Sequence, residues 1–234
     1  MKKQLIILSS FFIILNYSYS QDKEKYIGIA MGPSIPQADY SSRDMNNAYS
    51  GFAKNGLNIN ISYSIKTKNN SQVVFSILKQ SNPFDAGSMS YELSKKYPSI
   101  GFTVESDNWE ILGFFIGDNY LVPILKGSTF ELRGMLGLIE AKSPWVTTTA
   151  SQPGLVSWVQ QNNSTSESFA CQLGGGFKLK ISEKTFLSAN CDYLLSQALF
   201  ENVIITTSAG VLEKVSFKQN INSINATFGL IFKI

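Results

Sequence analysis

Histidine is absent from the 234 residues, and cysteine occurs only twice. The first absence removes Ser-His-Asp triads, Cys-His pairs and His-ligated metal sites in one step. The second makes a disulfide-rich secreted scaffold untenable and leaves at most one bridge, Cys171 to Cys191. No run of five like charges occurs, and no Gly-rich phosphate loop lies at a strand-to-helix junction, because Gly174-Gly175-Gly176 sits inside a strand pattern. A formal net charge of only +3 gives no case for nucleic acid as a partner. No stretch after the amino terminus reaches the ~20 apolar residues that a spanning helix needs. Yet hydrophobic residues make up 44% of the chain. Such a chain either buries its apolar atoms in a soluble core or displays them on a barrel.

The first twenty residues read as a secretory leader. Lys2 and Lys3 form a basic start, Leu5 to Leu15 an apolar core, and Ser18-Tyr19-Ser20 a small-residue cleavage site before Gln21. The core is too short to span a bilayer, and no Cys follows it to carry a lipid anchor. Removal of residues 1–20 leaves eighteen basic against seventeen acidic side chains, a net +1. Residues 21–234 suit one domain.

Period-two alternation then dominates. At the carboxyl terminus Ile224, Ala226, Phe228, Leu230, Phe232 and Ile234 alternate with Asn225, Thr227, Gly229, Ile231 and Lys233. The same pattern sets Leu57 to Ile65 against Asn58 to Ser64, Phe169 to Ile181 against Ala170 to Lys180, and Leu187 to Leu195 against Ser188, Asn190 and Asp192. Weaker candidates are Tyr26 to Gly32, Gln72 to Lys79, Trp109 to Gly117 and Thr129 to Ile139, for a total of eight. Their expected outward faces carry Ile27, Ile29 and Met31; Val73, Phe75 and Ile77; Trp109, Ile111 and Phe115; and Phe130, Leu132, Leu136 and Leu138. This choice sends Glu110, Glu131 and Arg133 inward.

Connections alternate in length. Short ones span Lys66 to Asn70, Asp118 to Gly127 and Ser182 to Lys184; long ones span Pro33 to Asn55, Gln80 to Asn108, Glu140 to Ser168 and Gln197 to Ile221. Short periplasmic turns, long outer loops and an even strand number predict an all-β fold, an eight-stranded antiparallel up-and-down transmembrane barrel. A short helix is expected over Ala86 to Lys96. A hairpin around Ser208-Ala209-Gly210, from Val203 to Thr207 and Val211 to Val215, is expected to carry the last two strands beyond the membrane.

The turn at Ser182 to Lys184 fixes a register in which paired residue numbers sum to about 366. Cys171 then faces Leu195 and Cys191 faces Gly175. A four-residue offset is ~13 Å along a strand, whereas a disulfide needs Cα atoms within ~7 Å, so both thiols are expected free and facing lipid.

Candidate site residues follow from the facing. Glu110, Glu131, Arg133, Lys178 and Asp192 are expected in the lumen as a structural charge network, favoured over a catalytic carboxylate pair. Tyr26, Tyr63, Trp109, Tyr120 and Tyr193 fall near strand ends, where an interfacial aromatic girdle forms. Trp145 and Trp158 fall in the third long loop and are candidate binding anchors. No catalytic, cofactor or metal residues are expected, and the chain reads as a non-enzyme.

The order of motifs resembles the small outer-membrane β-barrel ("porin family") proteins of Gram-negative bacteria, including PorT-like members. The resemblance is carried by the Tyr17-Ser18-Tyr19-Ser20/Gln21 junction, Asn82-Pro83-Phe84-Asp85, Asn108-Trp109, Gly134-Met135-Leu136-Gly137-Leu138, Asp192-Tyr193-Leu194 and the last strand. Members often finish on an aromatic residue, whereas this chain ends Phe232-Lys233-Ile234. The larger OmpA-like relatives carry a periplasmic domain with no counterpart after Ile234. The resemblance implies outer-membrane localisation, with outer-membrane lipid, the barrel-insertion machinery and an extracellular or secretion-apparatus component as partners. It also implies that the barrel enzymes of the outer membrane, which rely on His, are poor precedents.

Two functional readings stand side by side. Eight strands enclose a space just wide enough for side chains, which favours a filled barrel acting through its outer loops. Inward Gly174, Gly176 and Gly229 would instead leave room for a narrow porin or a path for apolar solutes, unless they serve close packing. An accessory role in a secretion apparatus follows from the resemblance alone.

Overall fold

The computed structural model describes residues 24–68, 70–210 and 212–234. The leader and its cleavage site lie outside the described residues. Eleven strands form one antiparallel sheet: β1 (Lys25–Pro36), β2 (Gly56–Lys68), β3 (Ser71–Pro83), β4 (Gly101–Ser106), β5 (Asn108–Leu125), β6 (Ser128–Lys142), β7 (Val146–Gln152), β8 (Leu155–Gln161), β9 (Thr165–Lys180), β10 (Thr185–Thr207) and β11 (Leu212–Lys233). Helix α1 spans Ala86–Lys96 as expected. Asp85 starts it by accepting a hydrogen bond from the Ser88 amide, and Lys95 and Lys96 complement the dipole in its last turn.

Eight of the strands close a ring in the order β11-β1-β2-β3-β5-β6-β9-β10, with β10 pairing back onto β11. Following the register once around from Ile231 leads through Gly28, Ser62, Ser76, Phe115, Gly137, Ala170 and Ser196 to Ile221. The return point lies ten residues from the start, and this stagger sets the strands at a tilt of ~40°. The closing seam runs from Tyr26↔Lys233 to Pro36↔Ser223.

The register at the β9–β10 turn matches the sequence expectation. Cys191 pairs with Gly175 and Leu195 with Cys171, and both cysteines are free. The outer hairpin also forms, with Thr206 opposite Leu212 on strands of 23 and 22 residues.

β4, β7 and β8 are additional to the eight expected strands. They continue the upper part of β10 as a second sheet, in the order β10-β8-β7-β4. Their residues, such as Thr147-Thr148-Thr149 and Gln160-Gln161, carry little apolar alternation because this sheet has no lipid face. Helix α1 packs on the edge strand β4, where the Ser90 hydroxyl donates to the Phe102 carbonyl at 2.6 Å.

Facing agrees with expectation on seven ring strands and is reversed on β5. There Trp109, Ile111 and Phe115 are buried in the barrel, while Phe114 and Ile116 are exposed. Glu110 is therefore on the outer surface, paired with Lys79. The reason is that β5 is apolar on both faces from Trp109 to Ile116, so alternation carries no contrast. Glu110 lies at the outer rim, where an outward charge is tolerated because the penalty is depth-dependent. β5 also continues to Leu125, so Asp118 is a mid-strand residue and not the start of a turn. Tyr26 likewise points inward and leaves the aromatic girdle, whereas Tyr120 remains outside.

The two walls of the lumen differ. Small residues line β11-β1-β2, among them Gly28, Ala30, Gly32, Asn58, Ser62, Asn225 and Thr227. The opposite strands supply bulk: Trp109, Ile111, Phe115, Met135, Ile139, Leu194 and Phe200. Large against small fills a narrow barrel without forcing rotamers.

Candidate functional site

The interior divides into three levels. At the periplasmic end the Glu24 carboxylate pairs with Lys233 at the end of β11 and, at 3.1 Å, with Lys66 on β2, so it ties both neighbours of β1. These hydrogen bonds, Lys233 first, hold its carboxyl at about 2, below the ordinary 4.5. Just above, the Lys178 ammonium lies 4.0 Å from the Tyr26 ring centre and 4.6 Å from that of Phe186. Lys178 is thus held on aromatic faces, which attract a cation through the ring quadrupole. The carboxylates of Glu131 and Glu24 act on it through space, so it borders the charges around Arg133.

The middle level is built on Arg133. Its Nη1 donates to Asp192 Oδ2 at 3.0 Å and its Nε to Asn119 Oδ1 at 3.1 Å. Nη2 donates to Asn190 Oδ1 at 3.3 Å and lies 3.6 Å from Glu131, which also accepts from Asn119 Nδ2 at 3.0 Å. Asn119 and Asn190 complete this cluster, and sequence alone does not single them out. Asn119 escapes because the alternation on β5 stops at Gly117, short of the strand's true end. Gly174 and Gly176 make the cluster fit. A Cβ on Gly174 would sit 2.3 Å from Asp192 Oδ1, and one on Gly176 would sit 2.2 Å from Asn190 Oδ1. Their missing side chains leave room for neighbours, and no channel results.

The upper level is an aromatic and apolar plug. Trp109 meets Tyr40 edge-to-face (5.7 Å) and Phe200 at a tilt (5.8 Å), and Phe200 stacks on Phe217 (5.0 Å). Tyr40 comes from the first outer loop, which folds into the mouth. Trp109 Nε1 donates to the Gly51 carbonyl at 2.9 Å, and Gln219 Nε2 donates to the Tyr49 carbonyl at 3.0 Å. The Asn82-Pro83-Phe84-Asp85 motif clamps this loop. Asn82 Nδ2 donates to the Lys54 carbonyl, Phe84 packs on Phe52, and the Asp85 amide donates to the Phe52 carbonyl. The Asp85 carboxylate holds Arg43 at 2.7 Å. Burial would raise that carboxyl, but hydrogen bonds from Ser88 and the Arg43 and Lys54 charges outweigh it and keep it low.

What remains open is small. The void between Gly28, Asn60, Ser62, Arg133, Asn190 and Thr227 measures about 20 Å³, room for about one water. A groove of about 570 Å³ lies instead on the outer rim, lined by Lys79, Asp107, Glu110, Glu140 and Lys142. Among the described residues no cluster has the make-up of a metal site.

The two loop tryptophans do not converge. Trp145 precedes β7 and its amide donates to Asp107, whereas Trp158 is midway along β8 opposite Thr149, with its carbonyl accepting from the Ser208 amide. At the tips beyond them Leu155, Val156 and Leu212 are the conspicuous apolar groups, each more than 60% exposed.

No protein-family model matches the chain, and no curated protein matches it in sequence. Solved structures do resemble it. The major outer membrane protein of Thermus thermophilus matches 92% of this chain and 100% of its own length, with 9% identity and a TM-score of 0.50. Ail, the attachment invasion locus protein of Yersinia pestis, matches 92% of this chain and 100% of its own at 14% identity and TM-score 0.47. Neisserial surface protein A matches 90% and 97% at 12% identity and TM-score 0.44. The likeness to the Thermus protein, together with the closed ring of eight antiparallel strands and its apolar outer face, gives the fold as that of a small outer-membrane β-barrel.

Proposed function

We propose that this chain is an outer-membrane barrel that works at its outer surface, with a lumen that serves as structural core. The observation that carries the reading is the residual lumen void of about 20 Å³ beneath a mouth filled by Tyr40 and Trp109. No hydrated ion or solute fits such a space. The exposed apolar tips of the outer sheet, Leu155, Val156 and Leu212, fit contact with an extracellular macromolecule, since surface apolar groups of this kind mark interaction sites. Export by a leader cleaved before Gln21 and a porin-family, PorT-like relationship belong to the same reading. A narrow porin and an accessory secretion component are the readings it competes with.

Planar-bilayer recording of the purified protein tests it. Little steady conductance is expected. Single-channel steps that scale with salt would overturn the reading in favour of transport. A variant in which residues 146–161 are replaced by a short turn should keep the barrel and lose only surface binding, because β8 is paired to the ring at the upper end of β10, above the membrane.

A further inference from the structure

Asp118 stands on the outward face of β5, exposed, in the middle of the apolar belt. Leu112, Phe114 and Ile116 lie above it on that face and Tyr120, Val122 and Ile124 below. Six residues at ~3.3 Å and ~40° tilt make about 15 Å along the membrane normal in each direction, so the carboxyl lies near mid-depth. Its row neighbours are Val73 on β3 and Gly134 on β6. Oδ2 accepts from the Ser71 hydroxyl at 2.7 Å.

Gly134, directly opposite, is also exposed. A Cβ there would meet only Leu173 Cδ2 at 3.9 Å. By contrast, a Cβ on Gly137 of the same strand would sit 2.1 Å from a backbone oxygen. The barrel itself therefore does not require a glycine at 134, and its absent side chain leaves a notch beside the carboxyl. Charged or protonated, a polar group at this depth is costly and marks a contact.

The same face carries the complementary parts. Tyr120 is 53% exposed two residues from Asp118 and can donate from its phenol. Between two copies a phenol-to-carboxyl hydrogen bond is available. Donor, acceptor, ring and notch on two adjacent strands make a self-complementary patch, the requirement for a two-fold interface.

We propose that a second copy of this chain packs side by side on the Asp118–Gly134 face within the membrane, the Tyr120 ring of each copy filling the notch of the other and its hydroxyl reaching the other's Asp118. The test uses the mature protein in phospholipid vesicles. In a Cys171→Ala/Cys191→Ala background, Ile116→Cys, two residues from Asp118 on the same face and 53% exposed, should give disulfide-linked dimers with a copper oxidant. Ile29→Cys, on β1 across the ring and 51% exposed, should stay monomeric. Asp118→Leu and Tyr120→Phe should each weaken self-association about tenfold, the loss expected for one hydrogen bond to a carboxyl, with the unheated gel position unchanged. Photobleaching of the unsubstituted, singly labelled protein should show two-step spots. Equal cross-linking at 29 and 116, single-step spots, or an Asp118→Leu variant that dimerises as before would each overturn the proposal.

Discussion

Removing the arginine at the centre of the lumen is the most discriminating perturbation of the barrel. Arg133→Ala takes away a guanidinium that is 13% exposed and leaves Glu131 and Asp192, whose side chains are 4% and 5% exposed, without their cation. Breaking a buried pair from one side costs about 3 to 5 kcal/mol, because the remaining charge stays desolvated. Exposed pairs are worth ~0 to 1 kcal/mol. Lys180→Ala, which breaks a pair with the 93% exposed Glu183, is the matched control. Urea titration of the protein in lipid vesicles, read by the shift between heated and unheated gel positions, measures both. At ~1.4 kcal/mol per tenfold, Arg133→Ala should lower the folding equilibrium by about two orders of magnitude or more, and Lys180→Ala by less than one. Arg133→Ala/Asp192→Asn should recover part of the loss, since it removes one stranded charge. An Arg133→Ala variant no less stable than Lys180→Ala would refute a tightly packed charge core.

Three further outcomes are expected. Leu173→Arg on the lipid face should impair folding by roughly 2 to 4 kcal/mol, whereas Thr148→Arg in the outer sheet should not, and equal effects would contradict the facing. Alkylation followed by mass measurement should find both cysteines reduced, and an internal bridge would contradict the β9–β10 register. The depressed carboxyl of Glu24 should stabilise fully above about pH 4.5 and lose its contribution as pH falls through about 2. The stability gap between wild type and Glu24→Gln should therefore close over that window, and a gap independent of pH would exclude the Lys66–Glu24–Lys233 clasp.

The ring is legible in the sequence wherever lipid and lumen impose different chemistry on alternate residues. On β9, Phe169, Leu173 and Phe177 contrast with Gln172 and Lys178, and both facing and register follow from that contrast. On β5 no such contrast exists, because the plug is as apolar as lipid: Ile111 and Phe115 inside resemble Phe114 and Ile116 outside. The expectation of Glu110 in the lumen fails for that reason. The Arg133–Asp192 contact can be anticipated from inward facing, but the Asn119 and Asn190 bonds and the stacking of Lys178 on Tyr26 depend on side-chain packing across the barrel. The outer sheet stays hidden for a different reason. Its strands are paired by backbone hydrogen bonds above the membrane, with no period imposed by a solvent boundary.

The seam between β1 and β11 joins the first and last strands of the ring, so it is the pairing with the greatest loop-closure penalty and the natural last event of assembly. The small-residue wall lies along it. A Cβ on Gly32 would sit 2.0 Å from the Ala226 carbonyl oxygen, and one on Gly229 would sit 2.1 Å from that of Ile29. Two nearly bare backbone ribbons can therefore meet without first evicting bulky groups, while β5, β6, β9 and β10 carry the packed interior. Seen as a kinetic path, the chain assembles a sheet already loaded with its core and finishes with a light zipper that Glu24 fastens at the base.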